Sequence, residues 1–222
     1  MRQIPLPIGT EPARSFDNFM PGANAPALAH LLALSTASAP VYLWSAAGSG
    51  KTHLLQALVH RFHDEGARTA CFGASDPAPW VHDEHWSLIV LDDCERFDPD
   101  QQQAAFALFA QAANQGVAVV AAGRLPPVDL PLREDLRTRL AWGHVFALQP
   151  LNEPEVRSVL RREADHRGVF LSDEVMDHLL TRFARDLKHL MALLERLDEF
   201  SLATKRAITV PLLKQMLAED ER

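Results

Sequence analysis

The fold of this chain is decided by residues 41–55, which read VYLWSAAGSGKTHLL. The apolar run at 41–44 is typical of a buried strand, and the turn after it leads into a helical pattern in which Leu54, Leu55 and Leu58 recur at helix spacing. In such a strand–turn–helix unit, main-chain N–H groups of the turn and of the first helical turn lack partners and can surround an anionic pyrophosphate. The stretch therefore predicts a phosphate-binding loop.

The residue types of this loop fit the division of labour in a P-loop. Gly48 and Gly50 let the main chain come close to the phosphates, Lys51 supplies a point charge for the outer phosphates, and the hydroxyl group after it can bind Mg²⁺. The usual pattern has glycine six residues before the lysine, and this chain has Ser45 there. Because a Gly-Ser-Gly-Lys-Thr run also occurs in ordinary loops that lead into a helix, that alternative stays open. The predicted nucleotide-binding residues of the loop are Ala47, Gly48, Ser49, Gly50, Lys51 and Thr52.

Composition restricts the class of protein. With 222 residues, 47% of them hydrophobic, the chain is long and apolar enough to bury a core. A net charge of −7 disfavours a surface that grips the phosphate backbone, so we expect no direct specific binding of DNA. Cys71 and Cys94 lie in or beside apolar runs without metal-ligand spacing, which predicts reduced, buried thiols and a cytoplasmic location. No apolar run approaches the ~20 residues of a membrane span, so we expect no membrane partner.

Further apolar runs predict a doubly wound α/β sheet. They fall at 41–44, 69–72, 87–91, 117–122 and 145–148 and alternate with helical patterns, which predicts a five-stranded parallel sheet with helices on both faces. The third run ends in Asp92-Asp93. Carboxylates at the carboxyl end of a buried strand lie where such sheets bind ligands, so we expect Asp92 to hold the Mg²⁺ carried by the nucleotide. A solvated turn is the alternative.

The two ends of the chain differ from this pattern. From Asn152 onwards only helices are predicted, which indicates a small helical domain over 151–222 behind a nucleotide-binding domain over 13–150. Residues 1–12 begin with MRQIPLPIGT, where prolines forbid a helix and the aliphatic side chains have no partners nearby. This extended tail either folds back onto the domain or enters the groove of a partner.

With these elements placed, the sequence resembles the DnaA initiator family of AAA+ ATPases over nearly its whole length. The segment around Phe16, Phe19, Gly22 and Asn24 is similar to the one that surrounds adenine in that family. The loop continues into His53 as the family's Walker A motif does, and Leu88 to Asp93 is similar to Walker B. Residues 136–143, LRTRLAWG, resemble box VII, and 186–190, DLKHL, resemble the sensor 2 segment.

The resemblance assigns roles to several of these residues. It implies bound ADP or ATP with Mg²⁺, an arginine finger at Arg139 that serves the nucleotide of a neighbouring subunit, and a catalytic carboxylate at Asp93. Lys188 falls where the family usually has an arginine, and Gly123 falls where DnaA has a polar sensor 1 residue. Because Ser45, Gly123 and Lys188 all weaken the groups that would polarise an outer phosphate, we expect ADP binding with weak or absent intrinsic ATPase activity.

Within the family, the chain is most similar to the DnaA-related regulators that inactivate DnaA. DnaA carries a helix-turn-helix DNA-binding domain after the lid, and we expect none here because the sequence stops at Arg222. The tail resembles the segment by which such regulators engage the DNA polymerase III sliding clamp, its β subunit. The resemblance implies DnaA and the clamp as partners and also allows a homodimer. The predicted clamp-binding residues are Gln3, Ile4, Leu6, Pro7 and Ile8.

Three functions compete at this stage. The leading hypothesis is a regulator that, with the DNA-loaded clamp, stimulates hydrolysis of DnaA-bound ATP through Arg139, giving inactive ADP-DnaA and preventing re-initiation of replication. The second is an autonomous AAA+ ATPase that acts as a helicase-loading or remodelling motor. The third is an adaptor that tethers DnaA without any catalytic contribution. Intrinsic ATPase activity would mark the motor, and stimulation that survives Arg139→Ala would mark the adaptor.

Overall fold

The computed structural model describes residues 14–183 and 187–220. It confirms the predicted α/β fold, a five-stranded parallel sheet in the order β2-β3-β4-β1-β5 with helices on both faces. The strands are β1 Val41–Trp44, β2 Arg68–Phe72, β3 Trp86–Leu91, β4 Ala118–Gly123 and β5 His144–Ala147. Since all five run in one direction, their carboxyl ends share one edge of the sheet, and the predicted phosphate-binding loop leaves β1 at that edge.

Several of the helices begin at a short polar residue whose side chain caps them. The described helices are α1 Ala25–Leu32, α2 Lys51–Asp64, α3 Pro99–Gln115, α4 Glu134–Ala141, α5 Glu153–His166, α6 Asp173–Arg182, α7 Leu187–Thr204 and α8 Val210–Asp220. For example, α3 starts in a capping box between Asp98 and Gln101 and ends at Gly116, whose φ of 69° suits glycine. None of the described helices combines the length and apolar character that crossing a bilayer would require.

The central strands are buried on both faces, because each face carries its own hydrophobic layer. Along β1, Val41 and Leu43 point to the layer formed with α1 and α2, while Tyr42 points to the layer formed with α3 and α4. All three side chains are at most 1% exposed. The near-continuous apolar runs of β1, β3 and β4 therefore reflect a sheet covered on both sides.

The edge strands are less buried than the central ones, and one prediction about the cysteines is wrong for this reason. β2 and β5 lie at the two edges of the sheet, and their burial is partial. Cys71 on β2 is exposed, so the prediction that both thiols are buried is wrong for this residue. Cys94 is buried, and burial raises the pKa of its thiol well above the ordinary range. An apolar run in the sequence does not distinguish an edge strand from a central one.

Contacts divide the chain into two compact units, with the sheet and α1–α4 in one, which ends at Pro150, and α5–α8 in the other, which begins at Leu151. The helical unit has a core of its own. Val156 and Leu160 on α5, Leu179 on α6 and Leu194 on α7 are nearly inaccessible to solvent and pack in one cluster with residues of α8. The helical region predicted from Asn152 onwards is confirmed, since the Asn152 side chain caps α5 and that of Ser172 caps α6.

Gly143 lies close to the main chain of Pro40, the residue before β1. It lies between α4 and β5, and a Cβ added there would overlap the carbonyl oxygen of Pro40 and lie 2.7 Å from its carbonyl carbon. The same carbonyl oxygen accepts a hydrogen bond from the N–H of His144 at 2.8 Å. The close contact therefore lies where β5 begins to pair with β1. A side chain at residue 143 would meet main-chain atoms, which have little freedom to move aside.

We therefore expect Gly143→Ala to destabilise the protein by about 3 kcal/mol, because β5 must shift away from β1 to admit the methyl group. The matched control is Gly73→Ala, where the added Cβ would meet its neighbours at an ordinary 3.7 Å. Chemical denaturation of both variants measures the difference. Equal stabilities for the two variants would show that the contact with Pro40 does not constrain the fold.

Candidate nucleotide-binding site

The loop between β1 and α2 has the geometry of a phosphate cradle. Gly48 and Gly50 adopt φ values of 83° and 93°, a region that side chains rarely occupy, and α2 begins directly after Gly50. Within the described part of the chain, the main-chain N–H groups of Ala47, Gly48 and Gly50 donate to no protein acceptor. Unpaired N–H groups at a helix N-terminus suit an anion, so the loop fits the phosphates of a nucleotide.

Lys51 lies beneath this loop. Its ammonium group donates to the carbonyl oxygen of Ser45 at 2.8 Å, to the Ser45 hydroxyl at 3.1 Å and to the carbonyl oxygen of Ala46 at 3.1 Å. The residue is only 8% exposed, and this burial lowers the pKa of its ammonium group, while the nearby Asp92 carboxylate opposes that change. Ser45, the departure from the usual glycine, is thus a hydrogen-bond partner of the lysine.

Thr52 and Asp92 meet at the mouth of the cleft next to the loop. The Thr52 hydroxyl donates to Asp92 Oδ2 at 2.9 Å, and the Asp93 N–H donates to Asp92 Oδ1 at 2.9 Å. Both side chains line a cleft of about 410 Å³ between α2 and the ends of β2 and β3. An alcohol and a carboxylate oxygen fit Mg²⁺, which takes few protein ligands and keeps water or phosphate oxygens. Among the described residues, no group of three or more His, Cys, Asp or Glu side chains could form a metal site.

Asp93 has a strained main chain. Its φ is 54° and its ψ is 41°, a left-handed conformation that is uncommon for residues other than glycine. Its carboxylate lies 3.7 Å from the guanidinium of Arg96, an exposed residue. The structure therefore places the second carboxylate of the pair beside the first but turned towards an arginine, and its catalytic role stays a prediction.

The segment predicted to surround adenine contacts α2 and the phosphate-binding loop. Phe19 is buried, and a Cβ on Gly50 would come within 2.7 Å of its ring. The Nε2 atom of His53 donates to the carbonyl oxygen of Ser15 at 2.9 Å, since a carbonyl can only accept. Phe16 is partly buried against the same hydrophobic layer. These contacts give the aromatic residues a structural role in holding the loop, while contact with a base stays a prediction.

Asn24 connects this segment with the end of β5. Its amide donates to the Gln149 carbonyl oxygen at 2.9 Å and accepts the Gln149 N–H at 2.7 Å. Gly22, with a φ of 49°, starts the short turn that ends at Asn24. The amide of Asn24 is occupied in this pair of hydrogen bonds, and its role near adenine stays a prediction.

Tyr42 explains why residue 123 is a glycine. The residue is fully buried on β1, and a Cβ on Gly123 would overlap its hydroxyl group. That hydroxyl donates to the carbonyl oxygen of Leu125 at 2.9 Å, and burial raises its pKa well above the usual range. Sequence reasoning missed Tyr42, which it counted only as part of an apolar run. It is the single tyrosine of the chain. A hydroxyl group within an apolar run needs a hydrogen-bond partner, and that need could have singled out this residue.

Arg139 lies at the surface between two aromatic rings. Its guanidinium is 6.0 Å from the ring centre of Phe106 on α3 and 5.9 Å from that of Trp142, which is 68% exposed. Within the described residues, the guanidinium makes no hydrogen bond or ion pair. These three residues line a surface cleft with Asp135 and Thr138.

The remaining predicted residues belong to other parts of the chain. Lys188 is an exposed residue on α7 of the helical unit, and its proposed contact with nucleotide stays a prediction. The predicted clamp-binding residues Gln3, Ile4, Leu6, Pro7 and Ile8 fall outside the described residues, and so does Asp186.

Comparisons with solved structures agree with this fold. The crystal structure of domain III of the Thermotoga maritima replication initiation protein DnaA has a TM-score of 0.79 at 19% identity, over 95% of this chain and 98% of that chain. AMPPCP-bound DnaA from Aquifex aeolicus has a TM-score of 0.68 at 19% identity, over 83% and 65%. The Thermotoga maritima RuvB Holliday junction branch migration motor has a TM-score of 0.61 at 15% identity, over 80% and 60%.

Family models identify the two parts of the chain separately. The model of the bacterial DnaA ATPase domain matches residues 11–70, which contain the phosphate-binding loop. The model of the Hda lid domain matches residues 153–217, which contain the four helices of the second unit. Together these matches cover more than half of the sequence, and the chain belongs to the Hda/DnaA family of AAA+ proteins.

Proposed function

We propose that this protein binds ADP or ATP with Mg²⁺ and inactivates DnaA by stimulating hydrolysis of DnaA-bound ATP. The observation that carries the proposal is the unpaired guanidinium of Arg139, held at the surface by Phe106 and Trp142. The match to the Hda lid domain supports a regulator related to DnaA over an unrelated motor.

The nucleotide would be held by the loop and α2. The N–H groups of Ala47, Gly48 and Gly50 would bind phosphate oxygens, Lys51 would add positive charge, and Thr52 with Asp92 would hold Mg²⁺. When bound, Mg²⁺ neutralises charge on the phosphates. We expect ADP to bind more tightly than ATP, because Gly123 offers no side chain to an outer phosphate.

Arg139 would act on the nucleotide of DnaA. A guanidinium that needs no rearrangement of a carboxylate partner can neutralise charge on a phosphoryl group as it transfers. Its aromatic neighbours limit the directions in which it can point, and their apolar faces add no competing charge. This arrangement favours a residue that completes the active site of another protein. A clamp-bound tail would raise the local concentration of the protein near DnaA.

Two alternatives remain distinguishable from this function. An autonomous motor would hydrolyse ATP without DnaA, and the left-handed Asp93 paired with Arg96 does not favour that activity. An adaptor would tether DnaA without help from Arg139. The decisive measurement is the rate of hydrolysis of DnaA-bound ATP with and without this protein and DNA-loaded clamp.

Lys51→Ala should abolish stabilisation by ADP, because the variant loses the charge beneath the phosphate loop. At a concentration one hundred times its Kd, a ligand stabilises the folded protein by about 2.7 kcal/mol, which raises the melting temperature by several degrees. Thermal melts with and without ADP and Mg²⁺ measure this rise for each variant. Lys214→Ala, an exposed lysine on α8, is the matched control and should keep the full rise. An undiminished rise in Lys51→Ala would mean that the loop does not bind phosphate.

Arg139→Ala should leave folding, ADP binding and clamp binding intact and remove stimulation of DnaA. Arginine fingers supplied in trans raise rates by roughly 10³ to 10⁵ in GTPases, so the loss should be large. Single-turnover hydrolysis of ATP preloaded on DnaA gives the rate. Arg137→Ala is the control, since residues two apart on α4 point to different sides. Full stimulation by Arg139→Ala would support the adaptor.

Replacing both Leu6 and Ile8 with alanine should abolish binding to the clamp, because short extended motifs concentrate their binding energy in a few pocket-filling residues. We expect the melting temperature to stay the same and stimulation of DnaA to fall with clamp binding. Immobilised clamp and a thermal melt provide the two measurements, and Arg2→Ala serves as a control in the same tail. A melting temperature lowered by several degrees with unchanged clamp binding would show that the tail packs on its own domain.

A further inference from the structure

The ammonium group of Lys51 has all of its N–H groups occupied by the first residues of its own loop. An ammonium carries three donors and no acceptor. Two of the donors go to main-chain carbonyl oxygens, that of Ser45 at 2.8 Å and that of Ala46 at 3.1 Å. The third goes to the Ser45 hydroxyl at 3.1 Å. A phosphate oxygen therefore gains a hydrogen bond from this group only when one of the three existing bonds is given up.

The Ser45 hydroxyl is the one acceptor of the three that belongs to a side chain. The two carbonyl oxygens are main-chain atoms, and they would be present with any residue at position 45. Where the usual P-loop pattern has glycine, this chain has serine. With glycine or alanine there, the ammonium would keep two acceptors in the loop and have one donor left for a phosphate oxygen. Serine removes that spare donor.

Burial makes this difference count in free energy. Lys51 is 8% exposed and Ser45 is 4% exposed, so water has little access to replace the hydroxyl as an acceptor. A buried donor without an acceptor is costly, which means that loss of the hydroxyl would raise the free energy of the nucleotide-free loop. The hydroxyl does not need the lysine in return, because it donates to the Ala46 carbonyl oxygen at 3.1 Å.

We propose that Ser45 restrains Lys51 in the nucleotide-free loop and thereby lowers the affinity of the site for the outer phosphates of a nucleotide. Ser45 is a positioning residue, since it acts through Lys51 and needs no contact with phosphate itself. A weaker hold on the outer phosphates makes the bound nucleotide easier to exchange. This inference rests on the proposed binding of nucleotide by the loop.

Two other roles for the hydroxyl make different predictions. If it held Lys51 ready for phosphate, its loss would weaken nucleotide binding instead of strengthening it. If it only stabilised the shape of the loop, its loss would affect ADP and AMP alike, because both use the main-chain N–H groups. Restraint predicts a gain in affinity for ADP alone, since the lysine of a P-loop reaches the phosphates beyond the first.

Calorimetric titration of the protein with Mg²⁺ and either ADP or AMP separates these roles. We expect Ser45→Ala to bind ADP on the order of tenfold more tightly, the difference that one hydrogen bond to a charged group can make, and to bind AMP within about twofold of the unaltered protein. The matched control is Ser38→Ala, which removes a serine hydroxyl in the turn before β1 and should change neither affinity. Unchanged or weaker ADP binding in Ser45→Ala, or an equal gain for AMP, would overturn the inference.

NMR of the lysine ammonium groups observes the restraint directly. The chain has four lysines, and the Lys51 signal can be assigned by its absence from the spectrum of Lys51→Ala. In the nucleotide-free protein we expect the ammonium protons of Lys51 to exchange slowly with water, because the group is buried and fully hydrogen-bonded. Exchange should be faster in Ser45→Ala. Equal exchange rates in the two proteins would also contradict the inference.

Failure of this inference can be told apart from failure of the proposed function. If the unaltered protein binds ADP and Ser45→Ala shows no gain, only the inference falls. If the unaltered protein does not bind ADP, the proposed function and the inference fall together. Melting temperatures without nucleotide report whether each variant folds. Should Ser45→Ala not fold, Ser45→Gly removes the same hydroxyl and carries the same expectations for ADP and AMP.

Discussion

The hydrogen bond from the Ser45 N–H to the Gly123 carbonyl oxygen joins the phosphate-binding loop to the tip of the neighbouring strand. Because β1 lies between β4 and β5, this bond fixes where the loop leaves the sheet. The ammonium of Lys51, at the far end of the loop, donates to the Ser45 carbonyl oxygen. This hydrogen bond joins the end of the loop to its beginning. Parallel strands bring Asp92 to the same edge, where it meets Thr52. The candidate site follows from this one connection and the direction of the strands.

A second constraint acts at the tip of β4. A buried tyrosine hydroxyl must have a hydrogen-bond partner, and Tyr42 finds it in the carbonyl oxygen of Leu125. Its position leaves no room for a side chain on residue 123. A side chain at residue 123 is therefore excluded by packing one strand away. The first polar side chain beyond that point belongs to Arg124, and it is already paired with Glu95.

Local signals made most of the fold predictable from the sequence. The side chains of Asp98 and Asn152 cap α3 and α5, and such a cap depends only on residues three positions away. Contacts between distant residues were not predictable. Asn24 pairs with Gln149, 125 positions away, and Gly143 is crowded by Pro40. No periodicity or spacing encodes such contacts, since they depend on how finished strands and turns meet. Cys71 was misjudged for the same reason.

The candidate site shows the same limit. Lys51 and its loop were predictable because the chemistry is contained in consecutive residues. The surroundings of Arg139 were not, since Phe106 comes from a different helix and its contribution depends on how α3 packs on α4. The resemblance to a known motif indicated which arginine to consider. It did not indicate that two aromatic faces hold the guanidinium.

The partners of the charged groups differ according to the nucleotide that each would serve. Lys51 is buried and bonded to its own loop, so it is restrained within the chain's own site. In the part of the chain that the structure describes, Arg139 contacts two aromatic faces and no carboxylate, and such faces orient a cation without neutralising it. A residue that must neutralise charge in another protein gains from this difference, because no ion pair has to break first. In the proposed function, the fold would hold its own nucleotide with little turnover and present the Arg139 guanidinium to a neighbour.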